Sequence, residues 1–342
     1  MKTNKPIILI LCGGQSLRLW PFSQYKSKNF LDVFGFSPLE LTIKRFLKLA
    51  PKENIFLVAN KYEKKQLLKL KSINKKNIFF EPESKNTAAA VLLSLINLKK
   101  YSRQAVIITP VDHLITKEKL FLSAVRKALL QAKSNFIATL GIKPDRPDPN
   151  FGYIQAGKQV SKTGVYSVKR FIEKPSQKRA KKLISSGKCF YNSGMFIGKI
   201  ETILAEYEKY YSDYKHFAKS IKAKKVVALY KRIKNTPFDK AIMEKTKKVI
   251  VIRGDFSWKD FGTWLSIYEV LAKDKKANAS RGKALLLDSS NNLIYLDNLK
   301  KKVIALGLKD IFLIDTKDYT LLTTRSHIDS LKLVLKKYVN FL

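Results

Sequence analysis

Cysteine is nearly absent: Cys12 and Cys189 are the only two in 342 residues. Two are too few for a disulfide framework or a four-ligand zinc site, so a reducing, cytoplasmic setting is the default expectation. Histidine is scarce as well, at three. A hydrogen-bonding role for His113 is therefore expected over metal ligation. No apolar run approaches the roughly 18 residues that a bilayer-spanning helix needs, and no membrane partner is expected. The first apolar stretch, 7–12, runs straight into Gly13-Gly14 and a polar loop with no small-residue cleavage site. It reads as a core strand and not as a signal peptide. Acidic residues are also few, 27 Asp and Glu against 67 Lys and Arg, which leaves a formal net charge of +40. Such a surface attracts polyanions. The excess is mainly lysine, however, whereas base readout favours arginine. It is also scattered in short runs such as Lys75-Lys76, Lys99-Lys100, Lys224-Lys225 and Lys300–Lys302. Dispersed lysine is usually a solvated surface, so nucleic acid is not the expected partner.

What remains is an ordinary globular composition, 45% hydrophobic and 27% charged, of a length that suits about two domains. The first half alternates strand and helix signals. Continuous apolar runs at 7–11, 55–59, 78–80, 105–109 and 136–140 have the character of strands buried on both faces. Helical spacing occupies 39–49, 62–70, 87–98 and 120–132. Five strands alternating with helices predict an α/β fold with a doubly wound, mostly parallel sheet. Its ligand edge lies at the loops after the strands. Beyond the breaker-rich loop 144–150, short strands are expected at 153–155, 165–171 and 190–197, and helical segments over 201–234 and 238–244. From Arg281 five short strands (284–287, 293–296, 303–306, 311–314, 319–322) recur about every nine residues and end in a helix over 328–338. This predicts a catalytic domain over 1–276 and a small all-β domain over 281–342, divided by the polar stretch around 275–281.

The most informative loop follows the first strand: Leu11-Cys12-Gly13-Gly14-Gln15-Ser16-Leu17-Arg18-Leu19-Trp20-Pro21. Glycines allow backbone N–H groups to close on phosphate oxygens. Arg18 adds a permanently charged fork, and Lys28 a second cation further along. The loop is not a P-loop, since Gly-Lys-Ser/Thr is missing, nor a dinucleotide fingerprint, whose three-glycine spacing is not met. Taken alone, Gly-Gly is equally a plain strand-to-helix turn. Asp112, just past the strand 105–109, suits a Mg²⁺-binding carboxylate, a turn or a helix cap. Asp260, in an otherwise apolar stretch, reads as well as a surface turn. Glu173-Lys174-Pro175 alone is an exposed charge pair, Asn192 a turn residue, and Asn86-Thr87 a helix cap.

These pieces together resemble a known family. The glycine loop with Ser27-Lys28-Asn29-Phe30-Leu31 is similar to the signature of the mannose-1-phosphate guanylyltransferases, which are sugar nucleotidyltransferases. Further stretches match in the same order: Glu81–Ala88, Pro110-Val111-Asp112-His113-Leu114-Ile115, Phe151-Gly152-Tyr153-Ile154, Phe171–Pro175, Asn192-Ser193-Gly194-Met195-Phe196 and Trp258–Trp264. Each is weak alone, but seven in order over nearly the whole chain are specific.

The resemblance implies a Rossmann-like nucleotidyltransferase domain followed by a short β-helix-like one, closed by a helix. It implies transfer of GMP from GTP to α-D-mannose 1-phosphate, giving GDP-mannose and pyrophosphate, with Mg²⁺ as cofactor. In these terms Arg18, Lys28 and Asp112 are catalytic. Leu11, Gly13, Gly14, Asn86 and Thr87 join them in holding the nucleotide. Gly152, Glu173, Lys174 and Asn192 hold the sugar phosphate, and Asp112 with Asp260 holds the metal. A homodimer is a candidate assembly. The chain is too short for the isomerase domain of longer bifunctional relatives, so no isomerase activity is expected. Two other readings stay open: a different sugar 1-phosphate or nucleotide, and a non-catalytic basic protein that binds nucleic acid. The sequence departs from the family pattern at Ser16 (third glycine), Leu17 (threonine), Ser27 (proline), Asn29 (glutamine), Lys85 (arginine) and Ala89 (proline). The charged site candidates are all retained, so an active enzyme is expected.

Overall fold

The computed structural model describes residues 5–14, 17–32, 35–161, 163–222 and 225–338. Ser16 lies outside them. The chain divides into two compact units: Met1–Gly14 with Ile43–Val111 and Ile115–Trp258, and Gln15–Thr42 with Asp112–Leu114 and Lys259–Leu342.

The first unit is built on a nine-stranded sheet. Its first four strands are β1 (Ile7–Leu11), β2 (Ile55–Asn60), β3 (Ile78–Glu81) and β4 (Ala105–Pro110), which are mutually parallel in the order β3-β2-β1-β4. β1 and β2 are almost wholly buried. Continuous apolar runs suit strands covered on both faces. The helix Asn86–Asn97 covers one face with eight consecutive buried residues, Ala88 to Leu95. Ala89, where the family pattern has proline, keeps its backbone N–H within this helix, which proline would remove.

After β5 (His113–Thr116) the expectation of a mostly parallel sheet fails. β6 (Ile137–Ile142) does not join β4. The long strand β9 (Cys189–Lys199) lies between them and is antiparallel to both. β7 (Tyr153–Ser161) and β8 (Val165–Ile172) form an antiparallel pair at the far edge. β10 (Val249–Gly254) runs parallel to β6 and antiparallel to β8. The sheet is therefore mixed. Hydropathy marks a buried strand but carries no sign of its direction, and β9 is as deeply buried as β1. The expected helical stretch 201–234 is three helices, Ile200–Tyr210, Tyr214–Lys222 and Val226–Arg232.

β11 (Ser257–Asp260) pairs with β5, and within the second unit the Phe261 N–H donates to the Asp112 carbonyl at 2.8 Å. The tail then forms two ladders. β12 (Ala279–Arg281), β14 (Leu293–Leu296) and β16 (Ile311–Asp315) are parallel, with β17 (Thr320–Thr324) antiparallel at the end. β13 (Lys283–Leu287) and β15 (Lys302–Leu306) form a separate parallel pair. The unit's core joins Trp20, Phe22 and Leu31 to Trp264, Tyr295, Phe312, Ile314, Ile328 and Leu331. Trp264 Nε1 donates to the Trp20 carbonyl at 2.8 Å, and the Tyr295 hydroxyl donates to the Asp32 carbonyl at 3.1 Å. Arg281 pairs with the Asp32 carboxylate at 2.8 Å. The polar segment 17–32 is thereby fixed at several points on the tail.

Candidate active site

The structure brings four of the charged candidates, Arg18, Lys28, Asp112 and Asp260, together within the second unit. Each is held by a local device. Leu19 and Trp20 sink into the core directly after Arg18. Lys28 opens a 3₁₀ turn, Lys28–Phe30, whose N-cap Ser27 accepts the Asn29 N–H at 3.3 Å. The residue that stands in place of the family's proline thus caps the turn that aims Lys28. Asp260 ends β11 and is followed by buried Phe261. Next come the Thr263–Ser266 capping box and the helix Trp264–Val270, anchored by Trp264. Gly262 allows the closest approach. A Cβ there would stand 3.0 Å from Asp260 Oδ1 and 3.2 Å from Arg18 Nη2.

The electrostatics follow from this packing. Lys28 Nζ donates to Asp112 Oδ2. Burial opposes the Asp112 charge most strongly, but the charge and hydrogen bond of Lys28 together with His113 outweigh it and hold the carboxyl down to about 2. Burial likewise pulls Lys28 down, and the charges of Asp112 and Asp260 reverse this to a net rise. Asp260 is pushed up to about 6 by burial and by the charge of Asp112, with Lys28 and Arg18 opposing. Its Oδ1 is buried without a hydrogen-bond partner. Two carboxylates with an orphaned oxygen suit a hard divalent cation. Mg²⁺ needs only one or two protein carboxylates when phosphate oxygens and water complete its shell. Among the described residues no group of three or more His, Cys, Asp and Glu side chains offers an all-protein cage.

The other candidates lie in the first unit. Leu11 ends β1, and Gly13-Gly14 follow, Gly14 at φ +129°, where a side chain would be strained. Asn86 and Thr87 do not cap their helix as expected. Asn86 itself is left-handed at φ +65°, and the N-cap is Lys85, with no side-chain cap bond. The Thr87 hydroxyl instead accepts the Phe238 N–H at 2.8 Å.

Gly152, Glu173, Lys174 and Asn192 do come together. The Asn192 N–H donates to the Gly152 carbonyl at 2.8 Å. A Cβ on Gly152 would stand 2.7 Å from Glu173 Oε2 and 3.3 Å from Asn192 Cβ, so only glycine fits there without displacement. Lys174, left-handed at φ +49°, pairs with Glu173 at 3.3 Å.

Two acids in this unit are not among the site residues expected from the sequence, although Glu81 opens one of the matching stretches. Asp239 accepts the Asn192 side-chain N–H at 2.8 Å and is pushed up to about 7 by burial and by Glu173. Glu81, at the end of β3, is buried and accepts the Tyr230 hydroxyl at 3.2 Å. Its Oε2 lies 3.4 Å from where a Gly13 side chain would begin. Burial pushes Glu81 up to about 8. A carboxyl raised on folding binds its proton more tightly in the native state, so stability falls as pH rises from its ordinary value through 8. Glu81→Gln is therefore expected to gain stability over the parent progressively between pH 5 and 8, by on the order of 3 kcal/mol at the upper end. Melting temperatures of both proteins across that range check it; a difference independent of pH contradicts it.

A family model described as "Nucleotidyl transferase" matches residues 7–277. The chain belongs to the nucleotidyl transferase family. The resemblance to the mannose-1-phosphate guanylyltransferases holds at the level of whole chains. A curated Escherichia coli O157:H7 relative named "Mannose-1-phosphate guanylyltransferase 2" is 30% identical over 98% of this chain and 74% of its own. A solved structure from Thermus thermophilus, described as a mannose-1-phosphate geranyltransferase, is 27% identical with a TM-score of 0.88. It covers 97% of this chain and 99% of that one. A second, described as a mannose-6-phosphate isomerase from Helicobacter pylori, is 30% identical with a TM-score of 0.63, over 75% of this chain and all of that one. This nucleotidyl transferase is thus an enzyme with the family's α/β fold, and the reading as a non-catalytic basic protein gives way. No helix among its described residues is long and apolar enough to cross a membrane.

Proposed function

We propose that the protein transfers GMP from GTP to α-D-mannose 1-phosphate, releasing pyrophosphate and forming GDP-mannose. The observation that carries this reading is the convergence of Arg18, Lys28, buried Asp112 and half-buried Asp260 in a nucleotidyl transferase whose relatives are named for that reaction. An oxygen of the sugar phosphate attacks the α-phosphorus of GTP, the bond to the β-phosphate oxygen breaks, and pyrophosphate leaves. The nucleophile is already an anion, so no strong base is required. Repulsion between two anions is the main obstacle, and positioned cations relieve it. Arg18, Lys28 and the backbone N–H groups of Gly13 and Gly14 neutralise the triphosphate, and Leu11, Asn86 and Thr87 border the nucleotide. Gly152, Glu173, Lys174 and Asn192 bind the sugar phosphate. Asp112 and Asp260 hold Mg²⁺, which when bound withdraws charge from phosphate oxygens.

Pyrophosphate release with mannose 1-phosphate and each nucleoside triphosphate, with and without Mg²⁺, tests this directly. GTP and Mg²⁺ should both be required. Turnover with a different nucleotide or sugar 1-phosphate instead would move the assignment within the family.

We further read residues 1–276 as the catalytic domain and the parallel ladders after 281 as a short β-helix. The two free thiols are buried and fit a reducing cytoplasm. The outer face of the β13–β15 ladder supports a homodimer. Leu285 pairs in register with Ile304 and Leu287 with Leu306, and all four are exposed. Lys283 and Lys302 begin this face, and Asp288 follows Leu287. A two-fold packing therefore sets lysines of one copy against the aspartate of the other. Sedimentation should give a dimer that Ile304→Glu with Leu306→Glu converts to folded monomers; a wild-type monomer at tens of micromolar (on the order of stable-interface concentrations) would refute it.

A further inference from the structure

The stretch 238–244, expected to be an ordinary helix, contains a π-helical turn, Asp239–Met243. The Glu244 N–H reaches back five residues to the Asp239 carbonyl at 2.9 Å. Such turns are rare and concentrate at functional sites. This one is rigidly seated. Ala241, Ile242 and Met243 are buried in the first unit's main core, and Phe238 packs on Phe196 with ring centroids 5.0 Å apart. What the turn presents to the polar cluster is two carboxylates. Asp239 Oδ1 accepts Asn192 Nδ2–H at 2.8 Å, and Glu244 Oε1 accepts the backbone N–H of Glu173 at 2.9 Å.

The Asn192 amide is thereby over-determined. Its Oδ1 accepts from the Thr139 hydroxyl at 3.2 Å and from the Gly194 N–H at 3.0 Å, so the oxygen and nitrogen cannot exchange places. Asp239 takes one amide hydrogen and leaves the other to a ligand. Glu244 does the corresponding work on the main chain. It fixes Glu173 just where Lys174 adopts its left-handed backbone, a conformation that a non-glycine residue keeps only when its surroundings enforce it. One side chain and one backbone segment read above as sugar-phosphate contacts, Asn192 and Glu173, are thus each held by an acid at one π turn or its C-terminal end.

We propose that Asp239 and Glu244 are positioning residues for the sugar phosphate. Asp239 acts through the Asn192 side chain and Glu244 through the Glu173 backbone. The inference rests on the sugar-phosphate reading of that cluster. It assigns neither acid to the nucleotide or the metal, so their loss should fall on one substrate alone.

Steady-state kinetics of the full chain with GTP and mannose 1-phosphate test it. Asp239→Ala should raise KM for mannose 1-phosphate by about 10- to 100-fold and leave KM for GTP unchanged within about twofold. Asp239→Asn, which still offers an oxygen to Asn192, should recover most of that loss. In a double-mutant cycle, Asp239→Ala should add nothing to Asn192→Ala, because both remove the same interaction. Additive losses, a rise in both KM values together, or no recovery in Asp239→Asn would each overturn the proposal. If Asp239→Ala fails to fold, the cycle is run with Glu244→Ala and Glu244→Gln, on the same criteria of a sugar-specific KM and conservative recovery. A wild-type enzyme that uses only another sugar 1-phosphate defeats the mannose assignment and leaves the cycle to be run on that sugar. A wild type that turns over mannose 1-phosphate while Asp239→Ala keeps its KM defeats this inference alone.

Discussion

Replacing Asp112 by Asn is expected to lower kcat/KM by about 10³-fold while the protein stays folded. The change is nearly isosteric, so the Phe261 N–H to Asp112 carbonyl bond, which is a main-chain bond, survives it. What disappears is the buried one of two interacting negative charges. Lys28 can still donate to the amide oxygen that replaces the carboxylate but loses that residue's charge, and Asp260 remains as a counter-charge. The stability loss should therefore be smaller than the roughly 3–5 kcal/mol expected when a buried charge is left wholly uncompensated. The metal reading adds a second measurement that does not depend on turnover. If Asp112 helps to hold Mg²⁺ as proposed, the cation should raise the parent's melting temperature with concentration, and this increment should vanish in Asp112→Asn. Wild-type rates at saturating Mg²⁺ in a purified, folded variant would remove Asp112 from the metal and from catalysis. Loss of activity with an intact Mg²⁺ shift would leave it a role in turnover only.

Much of this site is legible in the sequence, and the part that is not has identifiable causes. The parallel strands β1 to β4 announce themselves because burial on both faces imposes continuous apolar runs. The same signal accompanies Val249–Gly254, yet that run lies among helical stretches that mask it, and it is β10 that pairs with β6. The direction of β9 has no signal at all. Asp112 and Asp260 each resemble a turn residue when taken alone. Only the family resemblance pairs them, because the contact is made by a chain return that no local pattern encodes. Glu81 stands inside a matching motif, but its burial depends on Tyr230, 149 residues away. Asp239 is hidden for another reason. Its apolar neighbours have helical spacing, and the extra residue in the π turn, which re-aims both carboxylates, is a backbone event without a hydropathy trace.

Lys28→Met should lower turnover by about 10²- to 10³-fold and, unlike Asp112→Asn, should make the protein's stability more dependent on Mg²⁺. Methionine keeps the unbranched stem and removes the charge. Without it, Asp112 and Asp260 confront each other across a buried space, with Arg18 acting on Asp260. Like charges in that setting repel strongly and are poorly screened. The metal-free variant should therefore melt below the parent. Mg²⁺ should then raise its melting temperature by more than it raises the parent's, because in the parent Lys28 already occupies Asp112 Oδ2. The same reasoning assigns Lys28 two roles. It offsets the charges of both acids in the free protein, and in the proposed function it is a cation for the triphosphate afterwards. Lys28→Arg separates them. Its guanidinium still offsets the acids and should restore stability, but a planar fork does not replace a compact ammonium in a buried space, so turnover should stay low. If Mg²⁺ shifts the parent and Lys28→Met equally, the lysine is not sharing its carboxylate with the metal. If Lys28→Met turns over normally, the proposed role of this lysine toward the triphosphate is wrong.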